Sequence, residues 1–133
     1  MTIQEFPLAW RWTQSSHAVL PPKVLARIVP LSPSEAARVQ TSASVEQASV
    51  ISCSADDSAD VRSWLRRVQP DERASVYVSW SEDLAVETSW GIFIEYWDDF
   101  CYPSSDDVTI APVAGGWRLI YHHYEQFEFV TAP

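Results

Sequence analysis

The residues of this chain best suited to chemistry lie in EYWDDFCYPSSDDVTI, residues 95–110. The pairs Asp98-Asp99 and Asp106-Asp107 bracket Cys101, Ser104 and Ser105, and His122, His123 and Glu125 follow in the next segment. Carboxylates and imidazoles together can hold a metal ion. A serine or cysteine beside an imidazole can act as a nucleophile. Carboxylates interleaved with aromatics can recognise a basic partner.

Spacing ranks these readings. On extended backbone, neighbours such as Asp98 and Asp99, or His122 and His123, point to opposite faces, so neither pair readily serves one ion. No HExxH motif and no calcium-loop spacing is present, and neither a metal nor another cofactor is expected. A Ser-His-Asp set needs a geometry that spacing does not supply, and the GxSxG elbow is absent. Cys101 with His122 or His123 could form a Cys–His pair, but in so aromatic a segment Cys101 also reads as a small core residue. Tyr102-Pro103 favours an extended Tyr102. Pro103–Asp106 fits a turn closed by the Ser105 or Asp106 side chain. Turning alone does not call for aspartates on both sides. Like charges held close are unfavourable unless paired, solvated or protonated, and a Lys/Arg cluster on a partner would relieve them.

Recognition is therefore the favoured reading. Trp90, Tyr96, Trp97, Tyr102, Tyr121 and Tyr124 alternate with Glu95, the four aspartates and Glu125, and about half of these aromatics should be core. The expected partner-binding residues are Asp98, Asp99, Tyr102, Ser104, Ser105, Asp106, Asp107, His122, Tyr124 and Glu125. No catalytic residue and no metal ligand is assigned. The alternative is a small enzyme or ligand-binding protein in which His122 or His123 works with the aspartates, metal-assisted in one form.

The elements that must position these residues are legible in outline. Trp10 and Trp12 would share a face on a strand. Pro21-Pro22 can open a helix near 22–29, ended by Pro30. Ser32, Pro33 and Glu35 make a capping box for a helix over 33–43, which fades near Thr41–Ser44. ASVISCS (48–54) suits a strand. Val61, Trp64, Leu65 and Val68 set a helical stripe over 56–68, with Asp56, Asp57 and Asp60 at its start and Arg62, Arg66 and Arg67 later, as the helix dipole favours. From residue 74 the pattern becomes strand-like: 74–80, 87–97, 107–113 and 117–124, with 126–130 as an extension, Asp83 in one turn and Gly115-Gly116 in another. Short helices followed by a mostly antiparallel sheet define an α+β class in a single domain over 1–133.

Composition narrows the function further. The 133 residues suffice for one core, and 47% are hydrophobic. With Gly at 3, no Gly-rich phosphate loop is available. Residues 1–69 carry seven Lys/Arg against six Asp/Glu; residues 70–133 carry two against twelve. An acidic C-terminal half repels nucleic acid and anionic membrane and attracts a cation or a basic protein. Cys53 and Cys101 lack CxxC spacing and read as free thiols. Neither a signal-peptide pattern nor a membrane-length apolar run is seen, so a cytoplasmic location is expected. Oligomeric state is left open.

The segments WLRRV…SVYVSW, AVETSWGIF, YWDDFCYPSSDDVTI and WRLIYHHYEQFEF, within about residues 57–130, resemble small bacterial immunity-type proteins that accompany polymorphic or secreted antibacterial toxins. The matching pattern runs from Trp97 to Val108 and is followed by a Tyr-His-His strand at Tyr121–His123; the N-terminal third lies outside it. The resemblance implies a non-enzymatic, cytoplasmic protein that neutralises a cognate toxin by occluding its basic active cleft. It attaches no catalytic role to the motif.

Overall fold

The computed structural model describes residues 1–42 and 49–131. A 3-10 turn at Ile3–Glu5 leads into helix α1 (Trp10–Thr13), strand β1 (Ala18–Val19), helix α2 (Pro22–Leu25), strand β2 (Val29–Pro30) and helix α3 (Pro33–Ser42). Then come β3 (Ser49–Ser54), α4 (Ser58–Val68), β4 (Ser75–Ser81), β5 (Leu84–Ser89), α5 (Trp90–Glu95) and α6 (Trp97–Phe100). The chain closes with β6 (Val108–Pro112), β7 (Trp117–His122) and β8 (Gln126–Thr131). The fold is α+β: a seven-stranded sheet in the order β2-β5-β4-β6-β7-β8-β3, with every neighbouring pair antiparallel.

Capping chemistry sets the helix starts. Ser32 Oγ accepts from the Glu35 N–H at 3.3 Å, and Glu35 reaches back to the Ser32 N–H at 3.1 Å, the reciprocal box expected at α3. The expected fading of this helix over Thr41–Ser44 falls partly outside the described residues. Asp57 caps α4, accepting from Ala59 and Asp60 N–H groups at 3.0 and 3.2 Å. Val61, Trp64 and Leu65 turn inward from α4, as their spacing requires.

One face of the sheet carries the main core. Val76, Val78, Val86, Ile110, Leu119, Tyr121, Phe127 and Phe129 meet Trp12, Trp64, Leu65, Trp90, Phe93 and Phe100 from the helices. The other face is covered over β4 and β5 by α3, whose Ala36 and Val39 pack with Leu31, Ala85 and Tyr77. Gly91 lies in a close approach: a Cβ there would sit 3.1 Å from the Glu72 carbonyl oxygen, so a larger residue would need the Glu72 backbone to give by a few tenths of an ångström. Gly115 and Gly116, at φ 81° and 106°, make the β6–β7 turn.

Four expectations are corrected. Trp10 and Trp12 lie on a helical turn, not a strand. The helix expected over 22–29 ends at Leu25. The strand expected over 87–97 stops at Ser89, where the Ser89 hydroxyl accepts the Ile92 N–H at 3.2 Å and starts α5. Trp90, Phe93 and Ile94 follow i, i+3, i+4, and their burial on one helical face outweighs their strand propensity. Finally, Gln126–Thr131 is a separate strand antiparallel to β7, and the sheet also draws β2 and β3 from the first half as its two edges.

Candidate functional site

Two chain reversals meet at one end of the sheet. The loop after α6 runs from Cys101 to Asp107, and the β7–β8 turn holds His123, Tyr124 and Glu125. The Ser104 N–H donates to the His123 carbonyl at 2.8 Å. In return, the His123 N–H donates to Asp107 Oδ1 at 3.0 Å, and the ring Nδ1 lies 3.1 Å from the same oxygen. Ala55, just past β3, donates to the Glu125 carbonyl at 2.8 Å, which brings Asp56 and Asp57 to the same end. Helix α6 sits above it, with Trp97 packed on Tyr121 and Phe127.

Asp106 has a different fate from the other aspartates. It is 8% exposed and forms a two-pronged ion pair with Arg11 of α1, at 2.5 and 3.1 Å. The same carboxylate accepts the Tyr102 N–H at 2.9 Å and the Ser105 hydroxyl at 3.3 Å. The Arg11 guanidinium lies 4.0 Å from the Tyr102 ring centre, and the Tyr102 and Trp10 rings pack together beside it. So Asp106 closes the turn as expected, but it does not face a partner: its lone pairs are committed to Arg11 and to its own loop. The carbonyls at the end of α6 are also satisfied from α1 and β4. Trp12 donates to Asp99 O at 3.0 Å and Trp80 donates to Phe100 O at 2.9 Å.

The remaining acidic residues are outward. Asp98, Asp107 and Glu125 are exposed, and Asp99 is half-buried. Asp98 and Asp99 stand on a helical turn rather than a strand, so alternation across a sheet does not separate them. Asp98 lies 3.5 Å from Arg62, whose guanidinium also donates to the Glu95 carbonyl. Burial, then the neighbouring Asp98, pushes the Asp99 carboxyl above its usual range, with Arg62 opposing. Hydrogen bonds from the His123 ring and then its backbone hold Asp107 below that range.

The histidines diverge. His123 serves Asp107. His122 points to the sheet face opposite the Tyr121 side chain, with Nε2 3.1 Å from Glu128, and its ring stacks on exposed Tyr124 at 5.0 Å. Tyr124 also meets the His123 ring edge-on at 5.4 Å. The outcome is a knob of three rings flanked by carboxylates. Trp90, Trp97 and Tyr121 are core, whereas Tyr96 and Tyr102 are half-buried and Tyr124 is exposed, the even division expected.

For nucleophilic chemistry the geometry offers little. Cys101 is fully buried, and burial pushes its thiol well above the ordinary value, which leaves no thiolate at neutral pH. Ser104 and Ser105 are exposed, and Ser105 bonds to Asp106 rather than to an imidazole. Among the described residues, no three His, Cys, Asp or Glu side chains converge as metal ligands do. Also among them, no helix is long and apolar enough to cross a membrane.

Sequence reasoning missed Arg11. The available signal was a lone cation inside Trp10-Arg11-Trp12, because a guanidinium flanked by residues that bury large areas needs an anion. No protein-family model, curated protein or solved structure matches the chain.

Proposed function

We propose that this protein is a non-enzymatic inhibitor of the immunity type, which binds a basic protein toxin and occludes its active cleft with the acidic end of the sheet. The observation that carries the reading is the exposed ring of Tyr124 in the β7–β8 turn, with exposed Glu125 next to it and exposed Asp107 bonded to His123, whose ring Tyr124 meets, while exposed Asp98 stands on α6. Carboxylates steer a basic surface into contact, and an aromatic anchor then buries apolar area. Backbone strain at the same place supports the assignment. Among the described residues, the non-glycine residues with left-handed backbone are Ser104 at φ 72° and Glu125 at φ 61°, one in each of the two stitched loops. Such conformations cost on the order of 1 kcal/mol each and cluster at functional sites.

The test begins with capture of the tagged protein's partner from its own organism's lysate at low and high salt. With that partner purified, Asp98→Asn/Asp107→Asn should slow association about tenfold and flatten its salt dependence, with little change in dissociation. An unchanged association rate and salt slope in a confirmed complex would overturn the proposal.

A further inference from the structure

The two edges of the sheet differ in a way that general rules of sheet design make informative. Edge strand β2 has two residues and contains Pro30, both common devices against pairing with another chain. Edge strand β3 has six, Ser49–Ser54, with neither charge nor proline. Val50 and Ile51 are 39% and 48% exposed along it. Among the described residues, nothing pairs with its outer side.

Helix α4 packs beside this edge and carries a charge pattern along it. Its core residues Val61, Trp64 and Leu65 define the inner face. Arg62 and Arg66 leave on the flank toward α5, where Arg62 donates to the Glu95 carbonyl and Arg66 lies 3.7 Å from the Glu95 carboxylate. By helical spacing, Asp60 and Arg67, seven residues apart, occupy the opposite flank, above β3. Both are exposed, and both act electrostatically on Cys53 of β3.

We propose that the protein forms a twofold dimer by antiparallel pairing of β3 with β3 of a second copy. An axis perpendicular to the sheet would continue the sheet across the interface. It would lay the two α4 helices side by side and antiparallel on the same face. Asp60 of one copy then faces Arg67 of the other, twice. A twofold interface must be self-complementary, and an acidic residue and a basic residue placed one at each end of the same helix meet that condition. This is why the occupant is a second copy rather than a foreign strand. The formal charge of −9 on each copy opposes association only weakly, because screening at physiological salt limits repulsion to about 8 Å. The paired edge runs along the strands, whereas the acidic rim lies at their ends, so dimerisation leaves the rim open.

Sedimentation velocity across a wide concentration range tests this. Wild-type protein should be dimeric, and Arg67→Glu should weaken the dimer about tenfold or more, because it places like charges together twice. The double swap Asp60→Arg/Arg67→Glu should restore it. An equimolar mixture of Asp60→Arg and Arg67→Glu proteins should form a heterodimer tighter than either homodimer. Ile51→Lys should also dissociate it, with circular dichroism confirming that the variant is folded. A wild-type monomer at all concentrations, a dimer indifferent to Arg67→Glu, or failure of both swaps to restore association would each overturn the proposal. A strand from another protein pairing there, with no self-association, counts among those failures.

Discussion

Asp106 and Asp107 are neighbours in sequence and opposites in environment. Asp106 is enclosed by Arg11, the Tyr102 amide and Ser105, and so fastens the N-terminal helix to the loop after α6. Asp107 is exposed and holds one histidine in place. The difference teaches that a run of acidic residues is not one feature. Within four aspartates, one builds the platform on which the others are displayed. The inner region fixes where the rim stands; the outer region sets what the rim attracts.

The largest effect should follow from breaking the inner region. Asp106→Ala leaves a buried guanidinium without its anion, and Arg11→Ala leaves the carboxylate without its cation. Each should destabilise the fold by about 3–5 kcal/mol in denaturant titration. Replacing both at once, Arg11→Met/Asp106→Leu, should cost much less than the sum, since neither charge is then stranded. If the two single losses simply add, the pair is not acting as a unit, and the contrast between inner and outer aspartates fails.

That same pair marks the limit of what the sequence reveals. Helices α3 and α4 are legible because their signals are local: a capping box at Ser32–Glu35 and a four-position stripe from Val61 to Val68. The α5–α6 segment is harder, because every residue of Trp90-Gly91-Ile92-Phe93-Ile94 has the size or branching of a strand residue or the freedom of glycine. A helical signal is nevertheless present: Trp90, Phe93, Ile94, Trp97 and Phe100 recur at helical intervals, and all are buried. Composition favours strand there while periodicity favours helix, and periodicity prevails because a single apolar face must pack on the sheet. At the site, the acidic rim and its loop turn can be anticipated, since exposed charge and turn chemistry are written in adjacent residues. The partner of Asp106 cannot, because Arg11 lies far away in sequence and the choice of Asp106 over Asp107 depends on tertiary packing.

A smaller effect separates exposed aspartates that build from those that only display. Asp57 is exposed at the same end, yet its carboxylate caps α4. Asp57→Ala should cost about 1 kcal/mol. Asp57→Asn, which keeps an accepting oxygen, should cost little. Thermal unfolding of the two variants distinguishes the cap from the charge: an equal loss in both would show that charge, not the hydrogen bonds, is what α4 requires.

The smallest effect is one of pH, and it has opposite signs at two rim positions. Asp107 is held below the ordinary aspartate value in the folded state, by His123. Its contribution to stability is therefore present above the unfolded value of about 3.9 and is lost as pH falls through the lower folded value. Asp99 is shifted upward, by burial first and then by Asp98. Folding favours its protonated form, so the penalty of ionising it appears as pH rises from about 3.9 through the higher folded value. Acid titrations followed by urea unfolding should then diverge. Asp107→Asn should flatten the loss of stability below about pH 4, whereas Asp99→Asn should gain relative to wild type only above it. Both carboxylates are substantially solvated, so the curves should separate by a small amount, but they should separate in opposite directions. Parallel displacement of the two curves would mean that His123 does not select Asp107 and that burial does not select Asp99, leaving the rim as undifferentiated charge.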